Sequence, residues 1–181
     1  LEKIAKISLL LALSLGLSSC SWPRWITGSD DFGTALVAGE GVVVHFFTSD
    51  NAFDTGVRLR SSNQYALDIT ILSLWIDSMI DKNETGEAVD ERGFADNQMP
   101  FEWTSILKRS RDHRWFELMM FQPNCVSDSL RGVTDLNVDE ASGSYNFVAA
   151  CDGKLTLFVN DSYGFYGNNV GFANISLSRV N

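Results

Sequence analysis

Asp161, Asn168 and Asn169 are the residues of this chain whose types and spacing best suit chemistry. They lie in the run Asn160-Asp161-Ser162-Tyr163-Gly164-Phe165-Tyr166-Gly167-Asn168-Asn169-Val170-Gly171, between two stretches of alternating apolar residues. A carboxylate followed by paired amides supplies charged and neutral oxygens, the donors a hard cation takes. Calcium collects six to eight oxygens at about 2.3–2.6 Å in a flexible arrangement. Gly164, Gly167 and Gly171 let the backbone turn tightly, so that carbonyls also face an ion. Asn and Asp are equally turn formers in their own right, because their side chains bond their own backbone. The run therefore reads either as a calcium loop or as an ion-free hairpin.

The segment Leu155 to Leu177 resembles the end of the PA-IL (LecA-like) calcium-dependent, galactose-binding lectins. The shared pattern is a strand, Asn-Asp, a short Gly turn, Tyr-Gly-Asn-Asn, one residue, Gly, then an alternating strand. Looser echoes occur at Asp54-Thr55-Gly56-Val57 and from Leu67 to Trp75. The resemblance implies a galactose-binding-domain-like, jelly-roll β-sandwich. It implies a calcium held by Asp161, Asn168 and Asn169, by the turn carbonyl of Phe165, and by Asp77 or Ser78 in the loop after Trp75. Sugar hydroxyls would complete the ion's shell, and the ligand contacts it suggests are Asp161, Ser162 and Asn168. The chain departs from those lectins in having no His-Pro-x-Gln segment. Its place is taken by the longer and different stretch from Asp81 to Arg114, and Phe165 replaces a smaller turn residue.

Other constellations carry less. Asp81-Lys82-Asn83-Glu84-Thr85-Gly86-Glu87 opens like an EF-hand loop, but Arg92 stands at the twelfth position, where a bidentate Glu is needed. The chain contains no HExxH, no Gly-x-Ser-x-Gly, no Walker loop and no dinucleotide fingerprint. His45 and His113 are the only histidines; His45, in an apolar strand, reads as a core residue. The expectation is a binding protein and not an enzyme. Among five tryptophans, Trp75 and Trp115 fall in apolar strands and read as core. Trp103, beside Glu102 and Thr104, is a candidate ligand-stacking residue.

The elements that must position these residues are strands. Gly41–Phe47 is a β-branched and aromatic run; Gly56–Leu59 alternates. From Tyr65 to Ile76, Leu67, Ile69, Ile71, Ser73 and Trp75 share one face. Trp115–Phe121, Ser144–Ala150, Lys154–Asn160 and Asn174–Val180 complete the set. Only Trp103–Arg109 offers a turn or two of helix, and nothing sustains a 3.6-residue period. Short strands punctuated by Gly, Asn and Asp predict an all-β sandwich. The polar stretch Asp81–Pro100 reads as a long insertion, and such loops are frequently functional.

The N-terminus carries an address. Lys3 and Lys6 precede an apolar run, Ile7–Leu17, that is too short to span a bilayer, which takes about 20 residues. Leu17-Ser18-Ser19-Cys20 resembles the bacterial lipobox, which implies cleavage before Cys20 and lipidation of its thiol. Two or three acyl chains anchor stably where one does not. The organisation this predicts is a signal peptide over residues 1–19, a lipidated tether over 20–31 and a sandwich domain over 32–181. Ser21 in place of Asp leans towards the outer membrane of a two-membrane envelope, and Trp22 and Trp25 lie close enough to the lipid to meet its interface.

A net charge of −9 disfavours nucleic acid and anionic headgroups and is compatible with calcium. Apolar content of 45% supports a packed core. Cys125 and Cys151 remain besides Cys20; in an oxidising compartment they form a disulfide, and otherwise stand as two buried thiols. The function this predicts is a membrane-anchored, lectin-like lipoprotein with a calcium-assisted carbohydrate site. The alternative is an envelope lipoprotein that holds a protein partner through an ion-free sandwich.

Overall fold

Leu155, Leu157 and Val159 alternate along one strand and are each fully buried, while Thr156 and Phe158, on its opposite face, are buried as well. A strand covered on both faces belongs at the centre of a structure, and this one does. The structure, a computed structural model, describes residues 33–181. The leader, Cys20 and the tether through residue 32 lie outside the described residues.

Among the described residues eleven strands appear, in chain order: β1 (Gly41–Phe47), β2 (Phe53–Leu59), β3 (Gln64–Ile71), β4 (Ile76–Asp77), β5 (Leu118–Phe121), β6 (Arg131–Gly132), β7 (Asn137–Val138), β8 (Tyr145–Val148), β9 (Gly153–Val159), β10 (Asn169–Val170) and β11 (Phe172–Arg179). They form a five-stranded sheet in the order β1-β11-β3-β8-β7 and a four-stranded sheet in the order β2-β9-β5-β6. A short ribbon of β10 and β4 stands apart. All these ladders are antiparallel. The fold is an all-β sandwich.

The core lies between the sheets. Leu67 of β3 and Ile175 and Leu177 of β11 line one side, and Leu59, Leu118 and Leu155 the other. Trp75 and Trp115 are 0% and 2% exposed, as their apolar surroundings predict. Trp75 joins Phe46 and Phe116 in a chain of aromatic contacts at 6.1 and 6.2 Å between ring centroids. Burying one such ring contributes about 1.5–3 kcal/mol.

Three local readings are corrected. The run Tyr65–Ile76 is not one strand: β3 stops at Ile71 because the amides of both Leu72 and Ser73 turn onto the single carbonyl of Phe172. The period-2 alternation survives the break, so Trp75 and Asp77 still point inward. Trp115–Phe121 begins as regular strand only at Leu118, because Phe116 takes a left-handed backbone conformation (φ 61°) rare for a bulky residue. His45 is exposed, with Nδ1 2.6 Å from Asn174 Oδ1 on the neighbouring strand, because it falls on the solvent side of β1.

The stretch from Asp81 to Arg114 is more than a surface loop. Val89 and Phe94 within it are 2% and 0% exposed, and Phe94 bridges to Trp115 through backbone bonds in both directions. Gly93, at φ 67°, makes this possible: a Cβ there would lie 2.0 Å from the Trp115 carbonyl oxygen. The predicted turn of helix is a 3-10 helix at Glu102–Leu107. Cys125 and Cys151 are disulfide-bonded with Cα atoms 6.5 Å apart.

Candidate functional site: two buried carboxylates at the end of the sandwich

Asp161 stands two residues past Val159, the last residue of β9, where the central strand runs out at one end of the sandwich. The chain then turns through a 3-10 helix, Tyr166–Asn168, and returns along β10. Tyr166 pins this turn: it is buried, and its hydroxyl donates to the Val159 carbonyl and accepts from Arg109 Nη1 at 3.0 Å. The Arg109 guanidinium lies 3.5 Å over the Phe158 ring and 4.4 Å over that of Tyr163, so the insertion clamps the outer face of β9. In register across the short ribbon, Asn169 of β10 pairs with Asp77 of β4. That pairing carries Asp77, remote in sequence, to the same place.

Asp77, Asp161 and Asn169 are 4%, 2% and 6% exposed. Asn169 Nδ2 donates to Asp161 Oδ2 at 3.0 Å and to the Thr48 carbonyl at 3.2 Å. Both partners are acceptors, so the amide orientation is fixed, and Asn169 Oδ1 is left buried without a partner among the described residues. Asp161 Oδ1 accepts from the Ser162 amide at 2.6 Å. Among the described residues neither Asp77 nor Asp161 forms an ion pair with Lys, Arg or His. Burial, and then the charge of Asp161, push the Asp77 carboxyl up to about 7. Burial raises Asp161 as well, against the hydrogen bonds from Ser162 and Asn169.

An orphaned amide oxygen beside two buried carboxylates that lack a cationic partner is a costly arrangement for an apoprotein. Its donors are all oxygens and two are anionic, which fits calcium. Among the described residues no three or more His, Cys, Asp and Glu are grouped so as to hold a metal ion, so an ion here would take amide and carbonyl oxygens beside the carboxylates.

The remaining expected residues distribute as follows. Asn168 and Ser78 line the same cavity as Asp77, Asp161 and Ser162. Phe165 lines it too, and its carbonyl accepts the Asn168 amide at 3.0 Å, leaving one lone pair. Trp103 stands apart from the lining, 63% exposed, with its ring 6.4 Å from that of Phe101. Of the three glycines expected to shape the turn, only Gly171 is required. It takes φ 136°, and a Cβ there would meet Trp75 Cδ1 at 2.6 Å. Gly164 and Gly167 have open space around them.

Thr48 is a participant that the sequence does not announce. Its carbonyl holds Asn169, while its amide and hydroxyl bind the Gly171 carbonyl at 3.0 and 3.2 Å. A second polar cluster is equally unannounced. Ser110 Oγ lies 2.5 Å from His113 Nδ1, and His113 Nε2 lies 2.7 Å from Asp135 Oδ2. Ser110 is 7% exposed, and its backbone N–H and C=O are both tied to the Asn160 side chain. The cluster fastens the insertion to the start of the turn that carries Asp161.

The cavity at the site has a volume of about 280 Å³. Most of its wall is apolar and comes from Met79 and Ile80 after β4, from Met99, Pro100, Phe101 and Leu107 of the insertion, and from Trp115 and Phe165.

No protein-family model matches this chain, and no curated protein matches it. Among solved structures it is similar to the EclA N-terminal domain, a PllA-like lectin, at 17% identity and a TM-score of 0.46, over 76% of this chain and 94% of that one.

Proposed function

We propose that the chain is a calcium-assisted carbohydrate-binding module of the cell envelope, held to a membrane by lipid on Cys20. The observation that carries this reading is the buried trio of Asp77, Asp161 and Asn169, with two carboxylates that pair with no cationic side chain and an amide oxygen without a partner among the described residues. Asp77, Asp161, Asn169 and, at the rim, Asn168 would hold the ion, with Ser78 and the Phe165 carbonyl as neighbouring oxygens. When bound, the ion supplies a Lewis-acidic seat for two hydroxyls of a sugar. The chain's own part is to fix the carboxylates through Thr48, Ser162 and the β4–β10 register, and to keep the seat largely out of water.

The test is calcium titration of the purified protein by calorimetry and thermal melting, followed by a glycan array with and without chelator. Binding of calcium with calcium-dependent glycan signals supports the reading. A protein that binds neither ion nor glycan is instead an ion-free sandwich that serves a protein partner.

A further inference from the structure

An edge strand offers unpaired N–H and C=O groups to any chain that can line up with them, and proteins blunt such edges with short strands, charges, bulges or a covering segment. Among the described residues the two large sheets end in four edges: β1 and β7 in one, β2 and β6 in the other. Three of the four are blunted. β6 and β7 are two residues long; β6 contains Arg131, and Asp139 and Glu140 follow β7 directly. β2 carries Asp54 and Arg58, and its register with β9 shifts between them. Thr34 also lies against β2, donating its amide to the Gly56 carbonyl at 2.8 Å and accepting from the Arg58 amide at 2.9 Å. β1 has none of these devices. Its seven residues, Gly41-Val42-Val43-Val44-His45-Phe46-Phe47, include no Lys, Arg, Asp, Glu or Pro, and its register with β11 is unbroken.

The open side of β1 can be read residue by residue. The Arg179 amide donates to the Glu40 carbonyl at 2.9 Å, and the Thr48 amide to the Gly171 carbonyl at 3.0 Å. Hydrogen-bonded and non-hydrogen-bonded pairs alternate along an antiparallel ladder. The even-numbered residues of β1 therefore bond to β11, while Gly41, Val43, His45 and Phe47 turn their N–H groups away from it. The carbonyls of Gly41, Val43 and His45 point the same way; that of Phe47 takes the Asp50 amide at 3.0 Å. The side chains of this set lie on the solvent face, with Val43 and Phe47 55% and 48% exposed.

A row of alternating donors and acceptors is its own complement about a two-fold axis. The net charge of −9 opposes self-association in general, but an uncharged strand that pairs with itself meets no like charge. We infer that the chain forms a symmetric dimer by antiparallel pairing of β1 with β1 of a second copy, which joins two five-stranded sheets into one of ten strands. The register that uses all seven residues centres on Val44. It sets Gly41 opposite Phe47, and Val43 opposite His45, of the second copy. The exposed Phe47 ring then covers a glycine, the cross-strand arrangement that best shields a bare backbone. The flanking Glu40 and Asp50 fall opposite Thr48 and Ala38 of the second copy, so no two carboxylates face each other. Thr48, the residue after β1, holds Asn169 at the candidate ion seat. Antiparallel pairing thus puts the two seats at opposite ends of the shared edge and makes the dimer bivalent.

The test uses the full chain carrying Cys20→Ser, so that no lipid gathers the copies, in sedimentation equilibrium over a dilution series. The expected species has twice the 20.1 kDa of the chain. Val43→Pro removes an N–H that β11 does not use, a place where edge strands admit proline. It should weaken the dimer at least tenfold with little change in the melt, and Val43→Lys should do the same should the first fail to fold. Register is read by mixing Val43→Cys with His45→Cys under oxidation. Cα atoms of a hydrogen-bonded pair lie about 5.5 Å apart, within disulfide reach. The bond should form between the two kinds of chain and only weakly within either. A single-chain mass at every concentration would overturn the dimer. A dimer that persists in folded Val43→Pro and Val43→Lys would overturn its assignment to β1, and cross-links equally abundant within each kind would overturn the register.

Discussion

The side-chain amide of Asn169 donates to Asp161 Oδ2 at 3.0 Å while its own oxygen lies buried and without a partner among the described residues. Asn169 also stands in register with Asp77. One residue thus orients one carboxylate by a hydrogen bond and is aligned with the other by strand pairing.

Calcium should raise the melting temperature. A ligand that binds only the native state stabilises by about 2.7 kcal/mol at a hundredfold excess over Kd, or about 5–10 °C for a chain of this size. Chelator should reverse the rise. Asp161→Ala and Asp77→Ala should each abolish it, because each removes one of two charged donors. Superimposable melts of the parent in calcium and in chelator would sink the ion site.

Without calcium, stability should fall as pH rises. Asp77 in the folded protein has its pKa raised from 3.8 to about 7, first by burial and then by the charge of Asp161. A carboxyl with a raised folded pKa carries no penalty while it is protonated in both states, near pH 3.8 and below. The penalty grows as pH rises towards 7 and is complete above it. Asp77→Asn should flatten this slope in chelator. In calcium the slope should invert, since the ion takes the deprotonated carboxylate. Denaturant midpoints at pH 4.5, 6 and 7.5 provide the readout.

Reduction of Cys125–Cys151 should cost about 3 kcal/mol, given the 26-residue separation and the loop-closure model. The expected fall in melting temperature is about 6–12 °C. Cys125→Ser should reproduce it, and reductant should then have no further effect. A reductant-insensitive parent protein would show that the bridge contributes little.

Phe94→Ala should destabilise by about 3–5 kcal/mol, the cost of emptying a fully buried aromatic position. A dispensable loop would lose almost nothing. Equilibrium unfolding of the variant therefore decides whether the Asp81–Arg114 insertion belongs to the core or merely decorates it.

Cys20→Ala should release the protein from the membrane fraction or leave the leader uncleaved. Fractionation and gel mobility read this directly, and a variant indistinguishable from the parent would remove the lipid anchor from the proposal.

Sequence alone determined the strand content, the buried tryptophans and the bonded cysteines. Each depends on local pattern or on counting: Leu155, Leu157 and Val159 show period 2 wherever the strand is placed, Trp75 and Trp115 lie in apolar runs, and two cysteines remain besides Cys20. Asp161, Asn168 and Asn169 stand out for the same reason, being close together in the chain. The tertiary structure decided which of them are buried, since the exposure of Asn168 and the burial of Asn169 follow from strand pairing and not from residue type. It decided that His45 faces solvent and that Asp77 pairs with Asn169, the residue that binds Asp161, because β4 meets β10 across more than ninety residues of chain. It also brought Thr48 and the Met99–Leu107 wall to the site. These contacts join segments far apart in sequence, and no local periodicity encodes which distant strand a strand will meet.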